Sequence, residues 1–274
     1  MQAFADPQYL FSAANQFLLS AGKSPLFEVE LVGVKKLIKL NNGMFSVHTN
    51  RLLKEVDKTD LVFIPALFGD MTSAIAKNKT VVPWIVDQYR KGAEVASLCV
   101  GAFLLASTGL LNGKKCSTHW GYQREMDHDG EVVEGGIVTE EERIYSSGGA
   151  HSYWNLLLYL LEKYTDRETA ILASKYFAID IDRDSQSAFA MFKGQKSHKD
   201  KEILKAQEYI EKNIHGKIST DELAKISAIG RRTFERRFKD ATNNSVLEYI
   251  QRIKIEAAKR QFETSRKNIN EVMY

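Results

Sequence analysis

Two helix-start signatures twenty-six residues apart, Ser219 with Glu222 and Ser245 with Glu248, constrain the C-terminal third of this 274-residue chain to short, separately capped helices. In such a box the serine oxygen accepts from the backbone N–H three residues on, and the glutamate reaches back to the serine's own N–H. Ile218 can staple onto Leu223 ahead of the first box. Leu223 and Ile226 then share one helical face, a turn follows at Ile229 and Gly230, and Phe234, Phe238 and Ala241 form a second apolar stripe. Two short helices joined by a glycine-containing turn make a helix-turn-helix. Beyond Ser245, the spacing predicts a longer helix with Leu247, Ile250, Ile253 and Ala257 facing inward, and Asn268 with Glu271 predicts the start of another.

The second helix of the pair is cationic opposite its apolar stripe. Arg232 and Arg236 point away from Phe234 and Phe238, with Thr233 and Glu235 beside them and Arg231, Arg237 and Lys239 on the flanks. Guanidinium forks pair bidentately with guanine edges in a major groove, while flanking cations neutralise phosphates and set the register. Arg232 and Arg236 are therefore the base-contact candidates. A merely solvated charged face is the competing reading of the same residues. The distribution of charge is compatible with the first: from Gln195 onward there are 18 Lys+Arg against 12 Asp+Glu, whereas the preceding residues hold 20 against 23. The positive field is gathered at one end, as binding to double-stranded DNA requires.

The segment resembles the AraC/XylS family of transcription regulators through Leu223-Ala224, Phe234, Arg236, Phe238-Lys239, Ser245, Tyr249-Ile250, Arg252-Ile253 and Ala257-Ala258. Gly230 stands where that family often has Ser, and Asn243 where it has Gly; Asn tolerates the left-handed conformation such a turn needs. The resemblance implies DNA as a partner, a homodimer, and a second reading head joined by a rod-like helix. The pattern at Asn268 and Glu271 is barely one turn into that second head when the sequence reaches Tyr274, so the head is expected to be truncated.

The first 190 residues read differently. Short apolar runs at Phe27 to Val32, Leu61 to Pro65 and Glu94 to Leu98 alternate with helical runs near Pro7 to Ser20, Val82 to Lys91, Gly101 to Leu111 and Tyr153 to Lys163. Such alternation predicts an α/β fold, a three-layer sandwich on a mostly parallel sheet. Periodicity fades between Arg183 and Lys201 before a helix over Lys201 to Ile214, so the expected division is residues 1–190, a linker at 191–200, and an all-α domain at 201–274.

Within the first part, Val95 to Phe103 reads as strand, sharp turn and helix with Cys99 at the apex, a nucleophile-elbow layout. A cysteine at a helix N-terminus is expected to have its thiolate favoured by the helix dipole and by free N–H groups. His119 could complete a Cys/His pair. The alternative is a buried small hydrophobe and a packed ring. His151 and Trp154, after Gly148-Gly149, stand where ligands of open α/β sheets lie, although core or interface packing is the favoured role for Trp154. His48, His128 and Cys116 lack partners at metal-ligand spacing, so no metal and no cofactor is expected.

The run from Ala96 to Trp120, AxxCxGAFxLAxxGLLxGxxxxTHW, resembles the ThiJ/PfpI superfamily, which has a class I glutamine amidotransferase-like, flavodoxin-like fold. Combined with the segment behind it, the chain is similar to the GlxA-like branch of AraC regulators. The resemblance implies a ligand- or redox-sensing pocket at Cys99, Val100, His119, Leu67, Ala150 and His151. Three departures from catalytic members imply that no enzyme is present. Ala3 stands at the acidic position four residues before Pro7. Pro65 is followed by Ala66-Leu67-Phe68-Gly69 instead of Gly-Gly, and the central first strand is missing ahead of the first helix. Whether both ends are trimmed, or the start aligns elsewhere, stays open. With two cysteines, no membrane-length apolar run and no secretory pattern, a cytoplasmic regulator is expected. A cysteine-dependent hydrolase, hydratase or glyoxalase-like enzyme is the alternative, and a non-enzymatic scaffold a third.

Overall fold

The computed structural model describes residues 2–40, 43–126, 128–189, 191–192, 194–196, 198–265 and 271. They divide into two compact units, Met1–Ala190 and Met191–Tyr274.

The first unit opens with α1 (Gln2–Ser20), followed by the short strands β1 (Val32–Gly33), β2 (Leu37–Leu40), β3 (Phe45–His48) and β4 (Arg51–Leu52). Then come β5 (Leu61–Ile64), α2 (Met71–Asn78), α3 (Val82–Arg90), β6 (Glu94–Ser97) and α4 (Ala102–Ala106). The remainder is β7 (Lys115–Cys116), β8 (Glu131–Val132), β9 (Val138–Glu141), β10 (Ile144–Ser147), α5 (Tyr153–Tyr164) and α6 (Arg167–Phe177). The main sheet runs β5-β6-β10-β9, with β5, β6 and β10 parallel and β9 antiparallel to β10. Helices α5, α1 and α6 pack on one another beside β10 and β9, while α3 and α4 pack on β6 and β5. This is the expected three-layer, mostly parallel, flavodoxin-like sandwich. All four residues of β10 are buried, because an inner strand covered on both faces meets no water.

Two elements differ from the sequence expectation. The helix expected over Gly101 to Leu111 ends at Ala106. The Ser107 and Thr108 hydroxyls donate back to the carbonyls of Leu104 and Leu105, at 2.7 and 2.6 Å, and Gly109 turns to φ +76°. Local side-chain bonds of that kind compete with helix propagation. Of the run Phe27 to Val32, expected as a strand, only Val32 joins a ladder, in which Val32–Gly33 pairs with Arg51–Leu52. Asparagine side chains take the place of a neighbouring strand: Asn15 accepts from the N–H of Leu26 and Phe27, and Asn50 accepts from Leu31.

The second unit is all helical: α7 (Lys201–Lys212), α8 (Thr220–Ile226), α9 (Arg231–Thr242) and α10 (Val246–Thr264) around Ile210, Leu223, Phe234, Phe238 and Tyr249. Ser219 caps α8 by accepting from the Glu222 N–H, but Glu222 does not return the bond and instead accepts from the Tyr209 hydroxyl. The Ser245–Glu248 box at α10 is reciprocal. Gly230 has an ordinary φ of −61°, while Ala228 and Asn243 take the left-handed turns at +52° each. On α10 the buried face is Val246, Tyr249, Ile250 and Ile253, at i, i+3, i+4 and i+7. Leu247 lies off that face and is 63% exposed, contrary to the inward position expected of it, and Ala257 is half-buried. The pairing expected of Asn268 with Glu271 lies outside the described residues.

Replacing Ile250 with Ala should therefore destabilise the helical unit by about 2–5 kcal/mol, whereas Leu247→Ala should change stability by less than about 0.5 kcal/mol. Urea denaturation followed by helical circular dichroism reads both.

Candidate functional site

In the α/β unit the site is built at the end of β6. Leu98 leads into Cys99, whose φ of +57° is left-handed for a side-chain-bearing residue, the strained elbow that the sequence pattern predicts. The turn is tight because of Gly101: a Cβ there would lie 2.6 Å from the Ile64 carbonyl oxygen and 2.8 Å from that of Pro65. Polar residues of the inner strands hold the elbow. The Ser147 hydroxyl accepts from the Cys99 N–H at 3.1 Å and faces the Ser97 carbonyl at 3.4 Å, and the Thr118 hydroxyl donates to the Cys99 carbonyl at 3.2 Å.

The thiol itself does not behave as expected. Burial raises the Cys99 pKa, only partly offset by the N–H groups of Ala150 and Val100. Helix α4 has five residues, too few for a dipole to outweigh that desolvation. Nor do Cys99 and His119 share a hydrogen bond among the described residues. The His119 Nδ1 accepts from the Gly121 N–H at 3.0 Å, which assigns the neutral Nε2–H tautomer, and burial lowers its pKa. Its ring packs against Trp120, Tyr122 and the face of Gly149, where a Cβ would come within 2.0 Å of the imidazole.

Of the other pocket residues, Ala150 sits at φ +49° with its N–H on the Cys99 sulfur, Val100 is buried, and His151 is exposed. Leu67 lines a separate cavity beside β5. Trp154 is buried against Phe177, with ring centres 4.9 Å apart, in a packing role.

Three side-chain contacts escaped the sequence reading. Asp6, one helical turn beyond Ala3, accepts from the Tyr153 hydroxyl, and Tyr153 lies close to Cys99. Burial and Asp6 together push the Tyr153 pKa upward. The i, i+3 relation between Ala3 and Asp6 was the available signal, since both fall on one helix face. Cys116 Sγ and His128 Nε2 meet at 3.4 Å, and burial pushes the thiol up to about 12. Gln186 is the third. Its amide donates to the carbonyls of Thr118 (2.8 Å) and Gly136 (3.0 Å), and accepts from the N–H groups of Gly149 (3.0 Å) and Trp120 (3.2 Å). All of the amide's bonding capacity is used to hold the loop that carries His119.

In the helical unit, Arg232, Thr233, Glu235, Arg236 and Lys239 are exposed on α9. Arg232 and Arg236 have no acidic partner among the described residues. Two of the flanking cations are engaged, however. Arg231 donates to Asp221 and Glu235, each at 3.1 Å. Arg237 forms a bidentate pair with Asp200, at 2.8 and 2.7 Å, and holds that carboxyl below its usual range. Since Asp200 also caps α7, Arg237 anchors α9 to α7 rather than standing free as a phosphate contact.

The chain belongs to the DJ-1/PfpI family, whose profile matches residues 15–163. It is similar to the HTH-type transcriptional regulator CdhR of Pseudomonas aeruginosa, 27% identical over 206 residues, covering 73% of this chain and 59% of that protein. The HTH-type transcriptional regulator GbdR of the same species is 25% identical over 197 residues, 70% of this chain and 53% of that one. The chain thus spans a little over half the length of these relatives. The crystal structure of an AraC family transcriptional regulator from Pseudomonas putida shares the fold, with a TM-score of 0.54 and 15% identity over 65% of this chain and 92% of that one. No described helix is long and apolar enough to cross a membrane.

Replacing Gln186 with Leu strands two N–H and two C=O groups and should cost about 2–4 kcal/mol, measured by urea denaturation. Because the Cys99 pKa is raised, alkylation of Cys99 near neutral pH should be slower than that of free cysteine and should accelerate as pH climbs past the ordinary thiol value. Mass-spectrometric labelling across pH, with Cys99→Ser as the blank, reads the rate.

Proposed function

We propose that the chain is a transcription regulator whose helical unit reads double-stranded DNA and whose α/β unit senses a small molecule or a redox change. The observation that carries this reading is the exposed pair Arg232 and Arg236, one turn apart on α9 and without an internal acceptor among the described residues. Exposed guanidinium groups that the protein leaves unsatisfied are available to guanine edges. The regulator relatives support it, as does the structural likeness for the fold. Lys239 and Thr233 supply backbone contacts, Arg231 joins them only by leaving Asp221 and Glu235, and Arg237 positions the helix. A homodimer places two such helices on paired half-sites.

Sensing is assigned to the surroundings of Cys99, Val100, Ala150, His119 and His151. A ligand there acts by binding two arrangements of the chain with different affinity. The unit is read as non-enzymatic because the thiol is protonated at neutral pH and His119 is not bonded to it. The thiol-enzyme alternative draws on one observation, the Asp6–Tyr153 pair beside Cys99. It requires turnover that vanishes in Cys99→Ser.

The test is binding to fragments of the protein's own genomic neighbourhood across a salt series. Arg232→Ala and Arg236→Ala should each cost about 1–3 kcal/mol of sequence-preferring affinity. Absence of preference at every salt concentration overturns the reading.

A further inference from the structure

Strand β7 ends on Cys116, and the chain returns along β8, where Cys116 pairs in register with Val132. The loop between the two strands brings two further soft donors back to the cysteine. The Met126 thioether sulfur lies 3.8 Å from the Cys116 Sγ, and the His128 Nε2 lies 3.4 Å from it. Cys116 and Met126 are buried in the core, whereas His128 is half-buried, so the imidazole is the member of the trio that solvent chiefly reaches. Met126 and His128 stand 10 and 12 positions from Cys116. A thioether is not among the ligands of the usual cysteine and histidine motifs, which is why spacing alone predicts no metal here.

With bonds of about 2.3 Å to sulfur and about 2.0 Å to imidazole nitrogen, ligand angles between tetrahedral and trigonal set sulfur and nitrogen about 3.5–3.7 Å apart and two sulfurs about 3.8–4.0 Å apart. The separations of 3.4 and 3.8 Å therefore suit one shared ion with little movement of the side chains. No third cysteine, histidine or carboxylate completes a cluster among the described residues, which argues against the four-ligand set of structural zinc and the oxygen set of magnesium or calcium. Thiolate, thioether and imidazole are instead the ligands of soft copper. Charge selects the same ion. Burial opposes a bare Cys116 thiolate, but one thiolate with a monovalent cation is neutral, whereas a divalent cation would leave a net charge in the core. We propose that Cys116, Met126 and His128 form a binding site for monovalent copper, in which the Cys116 sulfur releases its proton to water as the copper–sulfur bond forms. The site uses neither the Cys99 thiol nor α9, so it stands or falls separately from the DNA-reading proposal.

The test is an anaerobic titration of the full chain with Cu(I), held reduced by ascorbate, against the chromogenic chelator bicinchoninate. Cys99→Ser serves as the background, since Cys99 and Cys116 are the chain's two cysteines. Each chain should withdraw one copper ion from the chelator, and X-ray absorption at the copper edge should show two sulfurs and one nitrogen. Met126→Leu conserves volume and His128→Gln falls at a half-buried position, so both should leave the Tm of the metal-free protein nearly unchanged. Each should nonetheless weaken copper binding by at least about tenfold, the usual scale for disturbing a metal site. Zn(II) should not be retained. Failure to withdraw copper, or zinc held as tightly as copper, overturns the proposal. So does copper binding indifferent to both substitutions, which would mean that the trio is only a thiol–imidazole hydrogen bond with a methionine packed beside it.

Discussion

Strand β6 has to stop and reverse in the space left by β5, and much of the α/β unit is arranged around that stop. Gly101 lies against the carbonyls of Ile64 and Pro65, so the turn closes only without a side chain there. The closure forces Cys99 into a left-handed backbone, and the cost is met by bonds from Ser147 and Thr118. These bonds explain why hydroxyl residues occupy a fully buried strand. The same closure carries the cysteine inward, away from water, and so determines its chemistry. Desolvation outweighs the N–H groups around the sulfur, and a geometry associated with reactive thiols holds a protonated one.

The helical unit shows the complementary logic. Its cations form two groups: those whose charge the protein neutralises for its own architecture, and those it leaves available. Asp200 serves two structural ends at once, capping α7 and gripping Arg237, so the orientation of α9 depends on a surface carboxylate as well as on Phe234 and Phe238 beneath it. Tyr249 adds a polar anchor inside the core. It accepts from Gln207 at 3.1 Å and stacks edge-on against Phe238, with ring centres 5.3 Å apart.

Much of this was legible in the residues. The elbow at Cys99, the parallel strands at Leu61 and Glu94, the caps at Ser219 and Ser245 and the left-handed Asn243 all follow from local pattern, because each depends on neighbours in sequence. What was not legible depended on distant partners. Gln186 lies in the stretch after Arg183 where periodicity fades, yet it serves four backbone groups up to 68 residues away. The fate of Arg237 is decided by Asp200, 37 residues earlier. The Cys99 pKa followed from burial, which no window of sequence displays. Leu247 and Val246 differ by one position, and the choice between them needed the true phase of α10.

The two carboxylates beside Arg231 carry a thermodynamic consequence for any polyanion that meets α9. Affinity for DNA draws on the small cations that each phosphate sheds when a protein charge replaces them. A guanidinium already facing Asp221 and Glu235 brings little uncompensated charge to that exchange, and it must desert two carboxylates to take up one phosphate. The helix is therefore less cationic towards a ligand than its sequence suggests. Its ionic-strength response belongs chiefly to Arg232, Arg236 and Lys239, so the number of ions released should fall short of the number of basic residues.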